Sequence, residues 1–306
     1  MAQTRSIVVT GGASGIGLGI TKHFIQDTSA NTTTHVTILD INPTTGAQTL
    51  EQLRAEFPSA SVSFEECDVS SWESQAAVFE KIFHQQGRID MVFANAGITE
   101  RGSLLPSKDG KGPVKPNLGT LNVNLVGTIY CETPLILQTT LQIKADTSRN
   151  RSLTINAAVQ LATHYMALNK SSEGSPSSKG MICCTASNAG LYPFPMAPMY
   201  AATKHGVVGL VRSLARTLTI EGIRINALAP AVIETNIAPS SDLFKSMIIT
   251  PMSTVAKAVA QFAEDERLTG QVAELHGENV TLAQPQLYVD EDTEKNIENF
   301  WNLGYA

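Results

Sequence analysis

Short apolar runs that alternate with stretches of helical spacing constrain the fold of this chain more than any other feature. Runs of this kind are typical of buried strands, and buried strands separated by helices form a parallel sheet covered on both faces. The pattern therefore predicts one α/β domain over 1–306, with a doubly wound parallel sheet of about seven strands flanked by helices. The predicted strands are 6–10, 35–40, 61–66, 89–97, 180–187, 223–230 and 270–277.

Composition and charge limit the partners of such a domain. The chain is 42% hydrophobic and carries a formal net charge of −6, so we expect a globular protein that binds neither nucleic acid nor anionic membranes. The cysteines lack the spacing of a zinc site or a disulfide framework, so we expect no metal and a reducing compartment. No apolar run reaches the length of a membrane span of about eighteen residues. The N-terminal apolar run is too short for a signal peptide, so we expect a cytoplasmic location.

A glycine-rich turn, TGGASGIG, follows the first predicted strand and opens a helix. Gly11, Gly15 and Gly17 allow a tight backbone turn and let a pyrophosphate approach the N-terminus of the helix. The strand before the turn and the helix after it favour a dinucleotide site over an ordinary strand-to-helix turn, which is the alternative. Ser14 and Ile16 of the same turn are predicted to contact the cofactor.

Asp40 ends the second predicted strand, beside the expected position of the glycine-rich turn. A carboxylate at this place accepts hydrogen bonds from both ribose hydroxyls of NAD and repels the 2′-phosphate of NADP. Neither Ala13 nor Ser14 supplies a cation for such a phosphate. The sequence therefore predicts NAD as the cofactor, although Asp40 taken alone is equally typical of a solvated turn.

A tyrosine and a lysine stand four residues apart at Tyr200 and Lys204, with Ser187 at the end of the preceding predicted strand. Residues at this spacing share one face of a helix. At about 4 Å and an effective dielectric constant of about 20, the ammonium lowers the phenol pKa by about three units. The spacing thus predicts a phenol that titrates near neutrality and acts as a general base. The alternatives are an ordinary surface pair and a turn serine.

Four motifs occur in one order along the chain: TGGASGIG, NAG at 95–97, Ser187, and YAATK at 200–204. Together they resemble the short-chain dehydrogenase/reductase family, a single-domain Rossmann group, over nearly the whole chain. The run from Leu191 through Thr235 is most similar to the NAD-dependent, prostaglandin-dehydrogenase-like branch of that family and its fungal members.

The resemblance implies a role for each residue of the catalytic set. Tyr200 takes the hydroxyl proton, Lys204 also hydrogen-bonds the nicotinamide ribose, and Ser187 holds the substrate oxygen. Asn124 matches the helix asparagine that props a water linking the lysine to solvent. Asn122 is a competing candidate for that position, and a plain polar helix residue is the other alternative.

The resemblance also implies contacts with the rest of the cofactor. Asp68 and Val69 match the adenine-contacting pair after strand three, although Asp68 is equally typical of a helix N-cap. Asn95 is expected mainly to keep strand four in register. The remaining expected cofactor contacts are Ala96, Gly97, Ile233 and Thr235.

The segments around the catalytic set predict the kind of substrate. Leu191, Phe194 and Met196 are expected to wall the pocket, 236–265 to form a substrate lid, and 277–306 to form a C-terminal extension that docks on the body or on a neighbouring subunit. The apolar side chains of the lid, with Phe194 and Met196, favour a small lipophilic substrate, such as a secondary metabolite, although ordinary core packing explains them equally well.

The leading prediction is an NAD-dependent oxidoreductase that interconverts a secondary alcohol and a ketone. A catalytically impaired NAD-binding sensor or scaffold is a second hypothesis, favoured by Ala231, which stands where the family usually has glycine. An NADPH-dependent ketoreductase is a third hypothesis.

The separation between Asn124 and Ser187 is about twice that usual in the family, and 131–157 is predicted to be an insertion in the central helix. A surface excursion and a mis-joined exon both explain it. The family resemblance implies a homo-oligomer, a dimer or tetramer, unless this segment blocks the interface that the helix usually forms.

Overall fold

The computed structural model describes residues 4–27, 33–102, 104, 115–129, 158–169, 178–235, 237 and 241–304. Its strands are β1 Thr4–Thr10, β2 Thr33–Asp40, β3 Ser61–Glu66, β4 Met91–Ala94, β5 Gly180–Thr185, β6 Ile223–Pro230, β7 Val272–His276 and β8 Asn279–Leu282. Its α-helices are α1 Gly15–Gln26, α2 Pro43–Glu56, α3 Trp72–Gln86, α4 Gly119–Leu121, α5 Gly127–Ile129, α6 Ala158–Ala167, α7 Pro198–Ile220, α8 Met252–Glu264 and α9 Glu291–Asn302.

One sheet joins these strands in the order β3-β2-β1-β4-β5-β6-β7-β8, which confirms the doubly wound α/β fold. The seven strands β1 to β7 pair in parallel, as predicted, and each lies within or close to one of the predicted runs. The eighth strand is a correction to the predicted count. After a turn at 277–278, β8 runs back antiparallel to β7, with Asn279 opposite His276.

Alternate residues of the central strands pack on opposite faces of the sheet, because successive side chains in a strand point to opposite sides. Val8 and Val92 belong to the core under α3, α6 and α7, whereas Ile7 and Phe93 pack with α1 and α8. Both faces are therefore covered, and the strands read as continuous apolar runs. Fully buried helix residues are Phe79, Val159, Val207 and Val211 on the first face and Ile20, Phe24, Val255 and Phe262 on the second.

The strand order reverses at β1, whose neighbours are β2 on one side and β4 on the other. In open α/β sheets, ligands bind outside the carboxyl ends of the strands at this reversal. In this chain, β1 ends at Thr10 and β4 at Ala94, so the glycine-rich turn and the NAG motif begin side by side.

The predicted insertion, 131–157, lies outside the described residues. Of the helical pieces that flank it, α5 and α6 contact each other. Helix α6 packs on α3, where the rings of Tyr165 and Phe83 have their centroids 5.0 Å apart. Asn169 follows α6, and its Nδ2 donates to the carbonyls of Ile89 at 2.6 Å and Lys179 at 2.8 Å.

The C-terminal part of the chain is anchored to the body through α7. The Arg216 guanidinium bonds the Glu298 carboxylate at 2.8 Å and lies 4.2 Å from the ring centroid of Trp301. Among the described helices, none has both the length and the apolar character that crossing a bilayer requires.

Candidate active site

The glycine-rich turn between β1 and α1 has a backbone that side chains disfavour. Gly11 and Gly15 have φ of +62° and +50°, a conformation that costs residues with a Cβ. Gly17 is packed so closely that a Cβ there would lie 2.2 Å from the Gly11 carbonyl oxygen. The chain therefore forms a cradle in which backbone, rather than side chains, faces the space above the turn.

Helix α1 begins at this cradle with nothing acidic at its N-terminus. Ser14 is the N-cap, but its side chain caps no N–H of the helix, and the first turn contains no acidic residue. The positive end of the helix dipole is therefore left for an anion, which suits a pyrophosphate. A Cβ on Gly15 would lie 3.2 Å from Thr235, so the loop after β6 contacts the same turn.

The Asp40 carboxylate lies beside the turn and is held by backbone donors. Its Oδ2 accepts from the N–H of Ala13 at 3.3 Å, and its Oδ1 accepts from the N–H of Asn42 at 3.2 Å. Two N–H groups orient the carboxylate, and each oxygen retains a lone pair for a further donor. The acceptor carboxylate and the cradle thus fit a dinucleotide cofactor.

Asp68 and Val69 follow β3 at the same edge of the sheet. Ser71 is the N-cap of α3, and its side chain accepts from Ser74, so the N-cap alternative for Asp68 is wrong. Asp68 instead accepts from the N–H and the hydroxyl of Ser70, at 2.8 and 2.7 Å. The Val69 carbonyl accepts from the buried Gln75 amide at 2.6 Å.

Asn95 ties three strands together through its backbone and side-chain amides. Its backbone N–H donates to Thr10 Oγ1 at 2.9 Å, and its Nδ2 donates to the Thr10 carbonyl at 3.0 Å. Its Oδ1 accepts from the Thr185 hydroxyl at 3.1 Å. The Ala96 N–H also donates to Thr10 Oγ1, at 3.0 Å. These bonds fix β4 against β1 and β5, as a register role for Asn95 requires.

Ser187 and Tyr200 come together at the end of β5 and the start of α7. Ser187 is buried, and its Oγ accepts from the Ala189 N–H at 3.2 Å as the N-cap of the short 3₁₀ helix Asn188–Gly190. Burial raises the pKa of Tyr200, and a hydrogen bond from the Ser187 side chain lowers it. Burial is the larger of the two effects, because a tyrosinate loses its hydration there.

Lys204 is buried on the same face of α7 as Tyr200. Its Nζ donates to the Thr185 carbonyl at 2.7 Å and lies 5.6 Å from the centroid of the Tyr200 ring. Burial lowers the pKa of Lys204 to about 8, which the nearby Cys184 partly opposes. The spacing predicts a Tyr200 pKa near neutrality, and that is wrong for this arrangement: burial raises the pKa of Tyr200, and the ammonium donates to a carbonyl instead.

Asn124 lies on a single turn of π-helix, Asn122–Val126, between α4 and α5. It is buried, whereas Asn122 is exposed, so of the two candidates Asn124 faces the interior. Its side chain bonds both backbone groups of Ile98 at 2.8 Å, and its Nδ2 lies 3.4 Å from the Thr203 hydroxyl on α7. A π-turn inside a helix is frequent at functional sites.

Gly97 lies between Asn124 and Lys204. A Cβ on Gly97 would lie 3.3 Å from Asn124 Oδ1 and 3.6 Å from Lys204 Nζ, so these groups share one space.

The predicted pocket residues are graded in exposure. Leu191 is partly buried against the core, Phe194 is 45% exposed, and Met196 is 87% exposed. The Phe194 ring centroid lies 6.5 Å from that of Tyr200.

Ile233 is buried and packs on the face with α1 and α8. Within 236–265, α8 is a core helix, so 237 and 241–250 are the described part left to cover a pocket.

Sequence reasoning missed Glu100. Its carboxylate accepts from the backbone N–H groups of Met199 at 3.3 Å and Tyr200 at 2.7 Å, across about a hundred residues of chain. The one indication in the sequence is indirect. The N-cap of α7 is Ala197, whose side chain has no hydrogen-bond acceptor. A helix start of this kind requires an acceptor from elsewhere.

Comparison with known proteins gives a consistent result. The family model for short chain dehydrogenase matches residues 5–138 and 137–245. The 5′-hydroxyaverantin dehydrogenase of Dothistroma septosporum is 30% identical over an alignment of 314 positions, which covers 98% of this chain and 90% of that protein. The 15-hydroxyprostaglandin dehydrogenase (NAD+) of Rattus norvegicus is 26% identical over 287 residues, covering 88% of this chain and 89% of that protein.

The fold recurs in a solved structure. A variant of actinorhodin polyketide ketoreductase with NADPH has a TM-score of 0.66 at 23% sequence identity, covering 90% of this chain and 98% of that one. At this identity the likeness is one of fold.

Proposed function

The chain belongs to the short-chain dehydrogenase family, and from this premise we propose that it is an NAD-dependent oxidoreductase acting on a secondary hydroxyl of a lipophilic small molecule. The family membership gives the reaction class, an oxidoreductase acting on CH–OH groups. One observation carries the proposal: Ser187, Tyr200, Lys204 and Asn124 converge at the carboxyl edge of the sheet, next to the glycine cradle.

The preference for NAD is supported by Asp40. Its carboxylate is fixed by two backbone N–H groups beside the turn, where it accepts from ribose hydroxyls and repels a 2′-phosphate. The rat relative is named for NAD, whereas the ketoreductase structure contains NADPH. When bound, the nicotinamide accepts or supplies a hydride.

The chemical roles follow from the contacts of each side chain. Tyr200 removes the hydroxyl proton as the carbinol is oxidised, and the Ser187 hydroxyl, which lowers the pKa of Tyr200, holds the substrate oxygen. Lys204, whose Nζ donates to the Thr185 carbonyl, would also hold the nicotinamide ribose, and its charge would favour the tyrosinate. Asn124 bonds both backbone groups of Ile98, and it lies beside Gly97 together with the end of Lys204.

A lipophilic substrate is supported by exposed apolar side chains on two loops. Phe194 and Met196 expose apolar surface on the loop before α7, and Met247 and Ile248 do so on the loop before α8. The Phe194 ring centroid lies 6.5 Å from that of Tyr200, and exposed large apolar side chains near a reacting group are typical of a binding surface. The fungal relative is named for 5′-hydroxyaverantin and the rat relative for 15-hydroxyprostaglandin, and in both names the reacting compound bears a hydroxyl.

Turnover of a panel of lipophilic secondary alcohols by the full chain, with NAD and with NADP, tests the proposal. We expect NADH formation with at least one alcohol, and a fall of about 10²–10⁴-fold in kcat for Tyr200→Phe. Asp40→Ala is expected to reduce the preference for NAD over NADP. No turnover by a chain that binds NADH contradicts the enzyme and favours a nucleotide sensor. Faster turnover with NADP contradicts the role of Asp40.

A further inference from the structure

We infer that Glu100 is a positioning residue for Tyr200. Its carboxylate holds the first turn of α7 at a fixed place against the segment that contacts Asn124. This inference rests on the proposed role of Tyr200 as the proton acceptor. It assigns to Glu100 the task of joining two parts of the catalytic set that come from distant stretches of chain.

Among the described residues, Glu100 is the acceptor for two backbone N–H groups in the first turn of α7. The N-cap Ala197 offers no side-chain acceptor, and Pro198 has no N–H. The N–H of Ala201 already donates to the Ala197 carbonyl at 2.9 Å. The N–H groups left are those of Met199 and Tyr200, and they donate to Glu100 Oε1 at 3.3 Å and Oε2 at 2.7 Å.

A carboxylate is well suited to this place. Both of its oxygens accept, and its charge lies at the positive end of the dipole of a 23-residue helix. Hydrogen bonds from backbone N–H groups to a carboxylate are stronger than those to a neutral acceptor. A glutamine at this position keeps one acceptor and turns an NH2 group toward the second N–H.

The backbone on both sides of Glu100 is itself fixed. Before it, the N–H and carbonyl of Ile98 each bond the Asn124 side chain at 2.8 Å. After it, the Arg101 N–H donates to Thr120 Oγ1 at 3.0 Å, and that hydroxyl donates to the Thr99 carbonyl at 3.1 Å. Asn124 and Thr120 are both buried, so neither anchor competes with bulk water.

The consequence is a rigid link from the π-turn to the catalytic tyrosine. The segment from Ile98 to Arg101 is clamped on Asn124 and Thr120, and from this clamp Glu100 reaches the backbone N–H of Tyr200 itself. Movement of the first turn of α7 displaces the phenol relative to Ser187. A displacement of about 1 Å in a catalytic group costs up to about 10²-fold in rate.

The test compares Glu100→Ala and Glu100→Gln with the wild-type full chain in steady-state oxidation. We expect kcat to fall by about tenfold or more in Glu100→Ala and by less in Glu100→Gln, with the KM for NAD within about twofold of wild type. Asp290→Ala is the matched control, because Asp290 also caps a helix with its carboxylate, accepting from Thr293 at 2.8 Å on α9. That control is expected to keep wild-type kcat.

Hydrogen exchange of the Met199 and Tyr200 amides gives a second readout that requires no turnover. Both amides are expected to exchange faster in Glu100→Ala, whereas they keep wild-type rates in Asp290→Ala. A wild type without turnover contradicts the proposed function, and exchange then decides whether the clamp exists. Unchanged exchange in Glu100→Ala, or a kcat within twofold of wild type, overturns the inference. If Glu100→Ala does not fold, Glu100→Gln answers both questions.

Discussion

The nucleotide side and the catalytic side of the site are built in different ways. On the nucleotide side, the turn between β1 and α1 takes its shape from its own backbone, and the carboxylate of Asp40 is held by N–H groups nearby. On the catalytic side, the key contacts join residues far apart in the chain: Glu100 to Tyr200, and Asn124 to Thr203.

The two sides therefore differ in which substitutions disrupt cofactor binding and which disrupt catalysis. A local backbone cradle is disrupted by one added methyl group and needs no contact from Tyr200 or Glu100. An assembly of distant side chains loses its chemistry when one contact is removed, while the cofactor site keeps its shape.

Gly17→Ala is expected to break the nucleotide side. The new Cβ lies 2.2 Å from the Gly11 carbonyl oxygen, so the turn must open. Overpacking of this kind costs about 1–3 kcal/mol, and we expect the affinity for NADH, measured by calorimetry, to fall about tenfold to hundredfold.

Gly209→Ala is the control for that variant. Gly209 lies on the exposed side of α7, and its added Cβ meets nothing within 4 Å. It is expected to leave NADH binding unchanged and to stabilise the fold by about 0.5–1 kcal/mol. Wild-type affinity for NADH in Gly17→Ala would show that the turn does not hold the pyrophosphate.

Lys204→Met is expected to raise the free energy of unfolding, because a buried catalytic lysine destabilises the folded chain. Burial lowers the pKa of Lys204 from 10.5 to about 8, so below pH 8 the folded chain contains a buried ammonium that costs about 3 kcal/mol. Losing the donor to the Thr185 carbonyl costs about 1–3 kcal/mol in the variant. At pH 7 we therefore expect Lys204→Met to be inactive and more stable than wild type by about 1 kcal/mol.

The pH dependence of that difference has a definite sign. Between pH 8 and 10.5 the unfolded wild type binds the proton that the folded state has lost, so wild-type stability rises with pH. The advantage of Lys204→Met measured in urea must shrink over this range. Lys257→Met, on the exposed side of α8, controls for the loss of a lysine. An advantage that grows with pH would contradict a buried ammonium at Lys204.

Ser187→Ala is expected to shift the pH profile of the catalytic side. The Ser187 hydrogen bond lowers the pKa of Tyr200, so its removal raises that pKa. Oxidation needs the tyrosinate, and the acid limb of kcat/KM therefore moves to higher pH. Ser71→Ala, which removes the N-cap of α3, is expected to leave the limb in place. If the acid limb of kcat/KM in Ser187→Ala stays at the wild-type pH, Ser187 does not affect the ionisation of Tyr200.

The same division explains what the sequence predicts and what it misses. The seven parallel strands and the glycine turn follow from local patterns, because apolar periodicity and a strand-turn-helix context are written in consecutive residues. The antiparallel β8 was missed, since Asn279–Leu282 is short and half-exposed at the edge of the sheet. Glu100 was missed because its two acceptor bonds reach Met199 and Tyr200, and no local pattern records such a contact.

The pKa of Tyr200 shows the limit of spacing arguments. Four residues on a helix place Lys204 on the same face as the phenol, and Coulomb attraction alone lowers the phenol pKa. The spacing contains no information on burial. It also contains none on the Thr185 carbonyl, which accepts a hydrogen bond from Lys204 Nζ at 2.7 Å. Both come from the packing of β5 against α7, which only the folded chain reveals.

Calorimetric titration of NADH and NADPH into wild type and Tyr200→Phe tests whether the nucleotide side is built independently of the catalytic side. We expect both proteins to bind NADH with the same affinity and NADPH at least about tenfold more weakly, because Asp40 and the cradle are built without Tyr200. Equal or tighter binding of NADPH, or loss of NADH binding in Tyr200→Phe, would contradict this expectation.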